Sequence, residues 1–260
     1  MSNTQHILIT GATSGIGLGI LKAYHKMGWA VTAVNRREDQ DIEGQFQGVR
    51  FCHFDVQNLQ AIKQYFDEAS RSNQLPSVYF LTAGINHVDN LERFSIETFR
   101  EVMETNLMGV LNFVSVALSY MPSAGQATFV AASSTTNLVP NPNCMGYYVS
   151  KRALYDIFKM MDRLHRNRGI RFKTLVLGPV ATNIFGSAKL ASKVQEAVRD
   201  LITVSVDQAV DPIVRFVQSR RQVFYYPKHS CLLYSAVRMA TSVFPGLYKG
   251  SAPSSPGVSE

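Results

Sequence analysis

The chain is poor in the residues that staple small folds or hold metals. Its three cysteines, Cys52, Cys144 and Cys231, are far apart, odd in number and never in C-x-x-C spacing. That pattern excludes a disulfide framework and a thiolate metal site. The six histidines show no H-E-x-x-H or other ligand spacing, so no metal is expected. Basic residues never run more than two in a row, which argues against a nucleic-acid-binding stripe. No stretch reaches the ~18 apolar residues of a spanning helix, so no transmembrane segment is expected. The N-terminus passes from a short polar leader into Ile7-Leu8-Ile9 without a charged n-region or cleavage site, unlike a signal peptide. A reducing cytoplasm is the expected location. Charged residues are only 17% of the chain and hydrophobic ones 46%, a balance that excludes disorder and supports a sizeable core.

What is present is alternation. His6–Thr10, Ala30–Val34, Val49–Phe54, Val78–Leu81, Thr128–Ala132, Arg171–Leu177 and Val223–Tyr226 are short apolar runs that predict strands. Between the first two, Ile16, Ile20, Tyr24 and Met27 recur at helical spacing and Gly28 closes the helix. Further helices are expected at Leu59–Ser70, Ile96–Leu118, Met145–Arg166 and Gln208–Gln218. In the third of these, Val149, Ala153, Ile157, Met160 and Leu164 form an apolar stripe, and basic residues gather at its C-terminus. Strands alternating with helices predict an α/β fold, a doubly wound (Rossmann) parallel sheet of about seven strands covered on both faces. At 260 residues, without repeats or linkers, this is expected to be one domain over residues 1–250. A substrate loop is placed at about 179–205, an apolar C-terminal helix at about 230–245, and a Ser/Pro-rich frayed tail at 251–260.

After the first strand comes Thr10-Gly11-Ala12-Thr13-Ser14-Gly15-Ile16-Gly17. Its glycines permit a tight strand-to-helix turn and bring a pyrophosphate close to the free N–H groups of the helix N-terminus. A plain structural turn is the alternative, and the strand before and amphipathic helix after it favour the cofactor reading. The second strand ends in Asn35-Arg36-Arg37. An acidic residue there would grip the adenosine ribose and repel a 2′-phosphate. An uncharged residue followed by arginine attracts that phosphate, so NADP(H) is favoured over NAD(H), against the reading of a solvated basic turn. Asp55-Val56, ending the third strand, is placed to receive the adenine amino group, although a lone Asp there also serves as a cap.

Tyr147 and Lys151 lie four residues apart on a predicted helix and share a face. A lysine ammonium ~4 Å from a phenol, at an effective dielectric of ~20, favours phenolate by roughly 4 kcal/mol before desolvation opposes it. That corresponds to about three pKa units, enough to bring the phenol toward working pH. An exposed helical pair is the plainer alternative. Thirteen residues upstream, Ser133-Ser134 follows the fifth strand, and a serine there is placed to hold a carbonyl oxygen for hydride attack. Asn106 falls in mid-helix, where an amide is an indifferent helix former. It is read either as a surface residue or as the holder of a water that returns protons to Lys151.

On these motifs the sequence resembles the short-chain dehydrogenase/reductase family over roughly residues 5–226. The resemblance rests on T-G-x-x-x-G-x-G at Thr10–Gly17, D-V at Asp55-Val56, A-G at Ala83-Gly84 and N at Asn106. It continues through S at Ser134, Y-x-x-x-K at Tyr147–Lys151 and G-x-V-x-T at Gly178–Thr182. It implies a proton-relay tetrad of Asn106, Ser134, Tyr147 and Lys151, with Lys151 also on the nicotinamide ribose. It further implies that Val180 and Thr182 meet the cofactor's carboxamide and phosphates, and that the protein forms a homodimer or homotetramer. Two departures stand out. The family's N-N-A-G reads Leu81-Thr82-Ala83-Gly84, and the proline of its P-G turn is Leu177, with Pro179 two residues on.

The expected activity is therefore an NADP-dependent oxidoreductase acting on a small, lipophilic or secondary-metabolite carbonyl or alcohol. Two rival readings are an epimerase or dehydratase working through a keto intermediate, and a catalytically silent NADP-binding scaffold. Asn86, His87, Thr135, Thr136, Asn143, Met145, Ile184 and Phe185 are expected around the substrate and include no arginine pair for an anionic group. Of the formal +7 charge, a net +4 lies from Arg220 onward. There Leu232, Leu233, Ala236, Val237, Ala240, Val243 and Phe244 make an apolar stripe. Core or subunit packing is its first expected use, with a cap over substrate or a peripheral membrane helix as alternatives.

Overall fold

The computed structural model describes residues 5–87, 95–121, 126–135, 144–182, 184 and 202–243. Seven strands form one wholly parallel sheet in the order β3-β2-β1-β4-β5-β6-β7. They are β1 His6–Thr10, β2 Ala30–Asn35, β3 Arg50–His53, β4 Val78–Leu81, β5 Ala127–Ser134, β6 Ile170–Leu177 and β7 Val223–Tyr226. The order reverses between β1 and β4, which opens a crevice at their C-terminal ends, where ligands of such sheets bind.

Side chains alternate between the two faces, as the pleat requires. Ile7 and Ile9 of β1 face α1 (Gly15–Lys26) and α7 (Val206–Gln218), in a core with Ile20, Tyr24, Ile213 and Phe216. Leu8 faces the opposite layer of α3 (Leu59–Arg71), α5 (Gly109–Tyr120) and α6 (Met145–His165), packed through Phe66, Phe113, Leu154 and Phe158. On this second face register aligns Tyr79, Phe129 and Phe172 across β4, β5 and β6, and their rings stack at 4.5 and 4.9 Å. A short α2, Gln40–Glu43, capped by Asp39, was not expected from periodicity. Its four residues are too few to display one.

Three expectations are corrected. The helix expected at Ile96–Leu118 runs as α4 (Ile96–Met103), a π-helical turn (Glu104–Met108) and α5. By length and composition Ile96–Tyr120 could cross a membrane, but it lies within the fold, with Val102, Phe113 and Ala117 buried. The apolar stripe of α6 is only its flank: Ala153 and Ile157 pack at the edge of the core, while Met160 and Leu164 are 55% and 72% exposed. The buried side is Tyr147, Ser150, Lys151, Leu154, Phe158 and Asp162. Hydropathy misses it because half of those residues are polar. Finally, in α8 (Lys228–Val243) Leu232, Leu233 and Ala236 are exposed rather than packed in the core of this chain. The tail 251–260 and Phe244 lie outside the described residues.

Candidate active site

The glycine loop sits where β1 ends. Gly11 and Gly15 have φ of +70° and +49°, and a Cβ on Gly17 would fall 2.1 Å from the Gly11 carbonyl oxygen. Only glycine fits this loop. A Cβ on Gly11 would meet Ala83 at 3.0 Å, and one on Gly15 would meet Thr182 at the same distance. The segments that follow the first, fourth and sixth strands therefore converge on one turn. Ser14 caps α1 without bonding any first-turn amide through its side chain, which leaves the helix N-terminus open to an anion. Ile16 is buried beneath the loop and serves the core.

A cleft of about 410 Å³ opens beside this turn. It is lined by Gly11, Thr13, Ser14, Asn35, Arg36, Arg37, Asp55, Val56, Ala83 and Gly84, together with Val34, Glu38, Asp39, Phe54, Ile85 and Thr105. Asn35 is buried; its Oδ1 accepts from the Ala12 amide at 2.9 Å and its Nδ2 is a buried donor with no partner among the described residues. A buried unmet donor in a polar cleft is costly unless a ligand satisfies it. Arg36 and Arg37 are exposed and form no ion pair among the described residues. Asp55 Oδ1 accepts from the Gln57 amide, while Asn58 caps α3. Asp55 thus keeps an oxygen for the cleft it lines. These residues fit a dinucleotide: an unbonded N-terminus for pyrophosphate, close backbone approach, and cations at the far rim.

Around the β1–β4 crevice the tetrad residues come together. Asn106, Ser134, Tyr147 and Lys151 are 0%, 7%, 6% and 3% exposed. The surface-helix alternative for Asn106 is thereby excluded. Its amide accepts from the Ile85 N–H at 2.7 Å, donates to the Ile85 carbonyl at 2.9 Å and reaches Ser150 Oγ at 3.3 Å. The π turn places it there, with one extra residue per turn to aim the side chain inward. A Cβ on Gly84 would lie 3.1 Å from Asn106 Oδ1 and 3.4 Å from Lys151 Nζ, so Gly84 keeps those two groups adjacent.

Lys151 Nζ donates to the Ala132 carbonyl at 3.0 Å and lies 5.4 Å from the centre of the Tyr147 ring. Ser133 Oγ donates to the Lys151 carbonyl and Ser150 Oγ to that of Tyr147. Tyr147 hydrogen-bonds Ser134. Burial raises the Tyr147 pKa well above the usual phenol range, opposed by the Ser134 bond and reinforced by Cys144. Burial lowers Lys151 to about 8. Burial is the first cause of both shifts, and Lys151 is not among the causes of the Tyr147 shift, so desolvation opposes the lysine-driven fall expected from spacing.

Some of this was invisible in the sequence. Thr10 Oγ1 accepts from the Thr82 and Ala83 amides at 3.1 Å, and Thr82 Oγ1 donates to the Thr10 carbonyl at 2.7 Å. This brace stands where the family's asparagines are missing. Ser150, between Asn106 and Tyr147, was also missed. Val180 pairs with Val204 in an isolated bridge that closes the base of the 179–205 loop. Of the expected substrate contacts, Thr136, Asn143 and Phe185 lie outside the described residues. Thr135 is buried, Ile184 packs with Val102 and Tyr147, and His87 pairs with Glu101 at 3.1 Å on the surface.

The family model for short chain dehydrogenase matches residues 5–193. The chain belongs to the short chain dehydrogenase family. It is 27% identical over 221 residues to D-beta-hydroxybutyrate dehydrogenase of Cupriavidus necator, covering 82% of this chain and 83% of that protein. It is 25% identical over 188 residues to glucose 1-dehydrogenase of Gluconobacter oxydans, covering 69% and 71%. Among solved structures, this dehydrogenase superposes with a TM-score of 0.77 on a short chain dehydrogenase of Burkholderia cenocepacia in complex with NADP. The identity there is 18%, over 95% of this chain and 98% of that one. A 3-ketoacyl-(acyl-carrier-protein) reductase of Brucella melitensis complexed with NADH gives 0.75 at 20% identity, over 85% and 96%. At such identities these likenesses establish the fold.

Proposed function

We propose that this short chain dehydrogenase is an NADP(H)-dependent oxidoreductase that interconverts a carbonyl and a secondary alcohol on a small lipophilic substrate. The observation that carries this reading is the gathering of Asn106, Ser134, Tyr147 and Lys151, all buried, next to the glycine-loop cleft. Gly11, Thr13, Ser14, Gly15, Ile16 and Gly17 would hold the pyrophosphate through backbone N–H groups and the Ser14 and Thr13 hydroxyls. Asn35, Arg36 and Arg37 would take the adenosine 2′-phosphate, and Asp55 and Val56 the adenine. Ala83, Gly84, Val180 and Thr182 would line the path to the nicotinamide. That the solved neighbours include NADP- and NADH-bound proteins supports a nicotinamide cofactor; Arg36 and Arg37, without an ion pair among the described residues, support the phosphorylated form.

A nicotinamide held there would supply or accept the hydride. Ser134 donates a hydrogen bond to the substrate oxygen and fixes it against Tyr147. Tyr147, kept protonated by burial, delivers its proton to that oxygen as charge develops there. Charged Lys151 stabilises the phenolate left behind and holds the nicotinamide ribose. Asn106, locked by Ile85 and Ser150, orients the route by which Lys151 regains a proton from solvent. The partly apolar surroundings, including Ile85 and Ile184, suit a lipophilic substrate. A turnover screen of ketones and secondary alcohols, with NADPH and NADH in parallel, tests the proposal. Oxidation of NADPH by some ketone, abolished in Tyr147→Phe, is expected; cofactor binding without turnover on any of them overturns it.

A further inference from the structure

Between Asp211 and Glu260 the sequence has no acidic residue, whereas Arg215, Arg220, Arg221, Lys228, Arg238 and Lys249 are basic. Arg215, Arg220, Arg221 and Lys228 are exposed, and none forms an ion pair among the described residues. Three of them, Arg215, Arg221 and Lys228, line a groove of about 330 Å³ whose other walls include Pro212, Phe216 and Phe224. The groove lies where the C-terminal half of α7 meets β7, the edge strand of the sheet. Cations around an apolar wall fit an anion attached to hydrocarbon.

Lys228 is also the first residue of α8. That helix is anchored by Ser230, fully buried, whose Oγ donates to the Ile202 carbonyl at 3.1 Å. Helical period sets Leu232, Ala236 and Met239 on the side opposite Ser230, with Leu233 at its flank. Leu232, Leu233 and Met239 are 72%, 40% and 68% exposed. An ordinary surface helix turns its polar side outward; this one turns an apolar side outward beside unpaired cations. Its described part, Lys228–Val243, measures ~24 Å at ~1.5 Å rise, and an apolar side flanked by cations suits it to lie in an interface.

A second copy of the chain fits this surface badly. A twofold contact would set the same arginines against each other with no acidic residue in the segment to neutralise them. Nucleic acid would leave the leucines and Met239 facing water. We propose that the outward side of α8 and the basic groove beside it form one docking surface for an anionic lipid bilayer. The phosphate headgroups sit against Arg215, Arg221 and Lys228, and Leu232, Leu233 and Met239 enter the acyl boundary. This surface is separate from the tetrad, so it stands whether or not the catalytic reading does.

Sedimentation of the full chain with vesicles of phosphatidylcholine alone, or with about one third phosphatidylserine, tests it. Binding to the anionic vesicles is expected, weakened strongly by added salt. Neutralising all three cations (Arg215→Gln, Arg221→Gln, Lys228→Gln) should weaken binding on the order of a hundredfold, at roughly fivefold per residue. Leu232→Gln with Leu233→Gln should weaken it tenfold or more. Both variants should keep the wild-type circular dichroism and unfolding temperature. No binding to anionic vesicles by the wild type overturns the proposal. So does binding that either folded variant leaves unchanged, or a fall in the light-scattering mass of both variants, which would assign the surface to a second copy.

Discussion

Tyr147 and Lys151 show how burial reverses a charge argument made from spacing alone. At four residues apart they share a helix face, yet desolvation holds the phenol protonated and brings the lysine down to about 8. Tyr147→Phe should therefore retain NADPH binding and lose turnover by a factor on the order of 10² or more, measured by steady-state kinetics beside cofactor titration. Because Lys151 supports the phenolate only while charged, carbonyl reduction should decline as pH rises through about 8. The same shift has a stability consequence. The unfolded lysine titrates near 10.5, so between about 8 and 10.5 the unfolded chain binds more protons than the folded one. In that window this group makes stability rise with pH. Chemical denaturation across it should show a shallower rise in Lys151→Met than in the wild type. At the other rim of the cleft, Arg36→Ala should cost NADPH about tenfold or more in dissociation constant and NADH little. Equal cofactor affinities in the wild type would refute the assignment.

At the scale of elements, two helix ends carry unusual ionic anchors. Lys173, on β6 and 1% exposed, donates to the carbonyls of Phe216 and Val217 at 2.7 and 2.9 Å, and to that of Ser219 at 2.5 Å. It closes the C-terminus of α7, where carbonyls otherwise lack donors and a cation is favoured. Lys173→Met keeps the hydrocarbon stem and takes this donor from the Val217 and Ser219 carbonyls, while the Phe216 carbonyl keeps the Ser219 N–H and hydroxyl, a loss of about 2 kcal/mol in urea unfolding. Asp162, fully buried near the end of α6, accepts from Phe172 N–H and Arg171 at 3.0 Å and also holds Arg166. Burial pushes its carboxyl upward, but the Phe172 amide and the two arginines together hold it below the usual range. Its contribution is present above the unfolded carboxylate pKa and disappears as pH falls through the folded one. Asp162→Asn should accordingly destabilise the protein at neutral pH and differ less from wild type in acid.

At the scale of the molecule, the outer sides of α5 and α6 are expected to supply the subunit contact, through exposed residues and not through their large aromatic side chains. Phe113 and Phe158 are fully buried in the core, and Tyr155 reaches Tyr225 through its hydroxyl at 3.2 Å. Met160 and Leu164 are the exposed apolar residues of α6, and Met108 lies exposed in the π turn before α5. A light-scattering mass of at least twice 28.9 kDa at micromolar concentration is expected, reduced by Met160→Lys with Leu164→Lys. A monomer in the wild type would rule out this contact.

Periodicity determined six strands to within a residue at either end, because a short apolar run has little else to resemble; β5 runs on through Ser133 and Ser134, which were expected beyond it, since polar residues carry no apolar signal. The glycine loop was equally legible: positive φ and near-contact of backbones admit one residue type, so the constraint is written in the sequence itself. Tyr147, Lys151, Ser134 and Asn106 could be named from their spacing, but not their environment. Only tertiary packing buried them, bound Asn106 to Ile85, and made desolvation the dominant influence on two pKa values. The buried side of α6 was misread for the same reason, since Ser150, Lys151 and Asp162 lie inside through hydrogen bonds that no hydropathy scale counts. The brace between Thr10 and Thr82 joins residues 72 apart, and whether the leucines of α8 face core or solvent depends on which side Ser230 anchors. Local pattern dictates local conformation; which polar groups meet is decided by long-range contacts that a one-dimensional pattern does not contain.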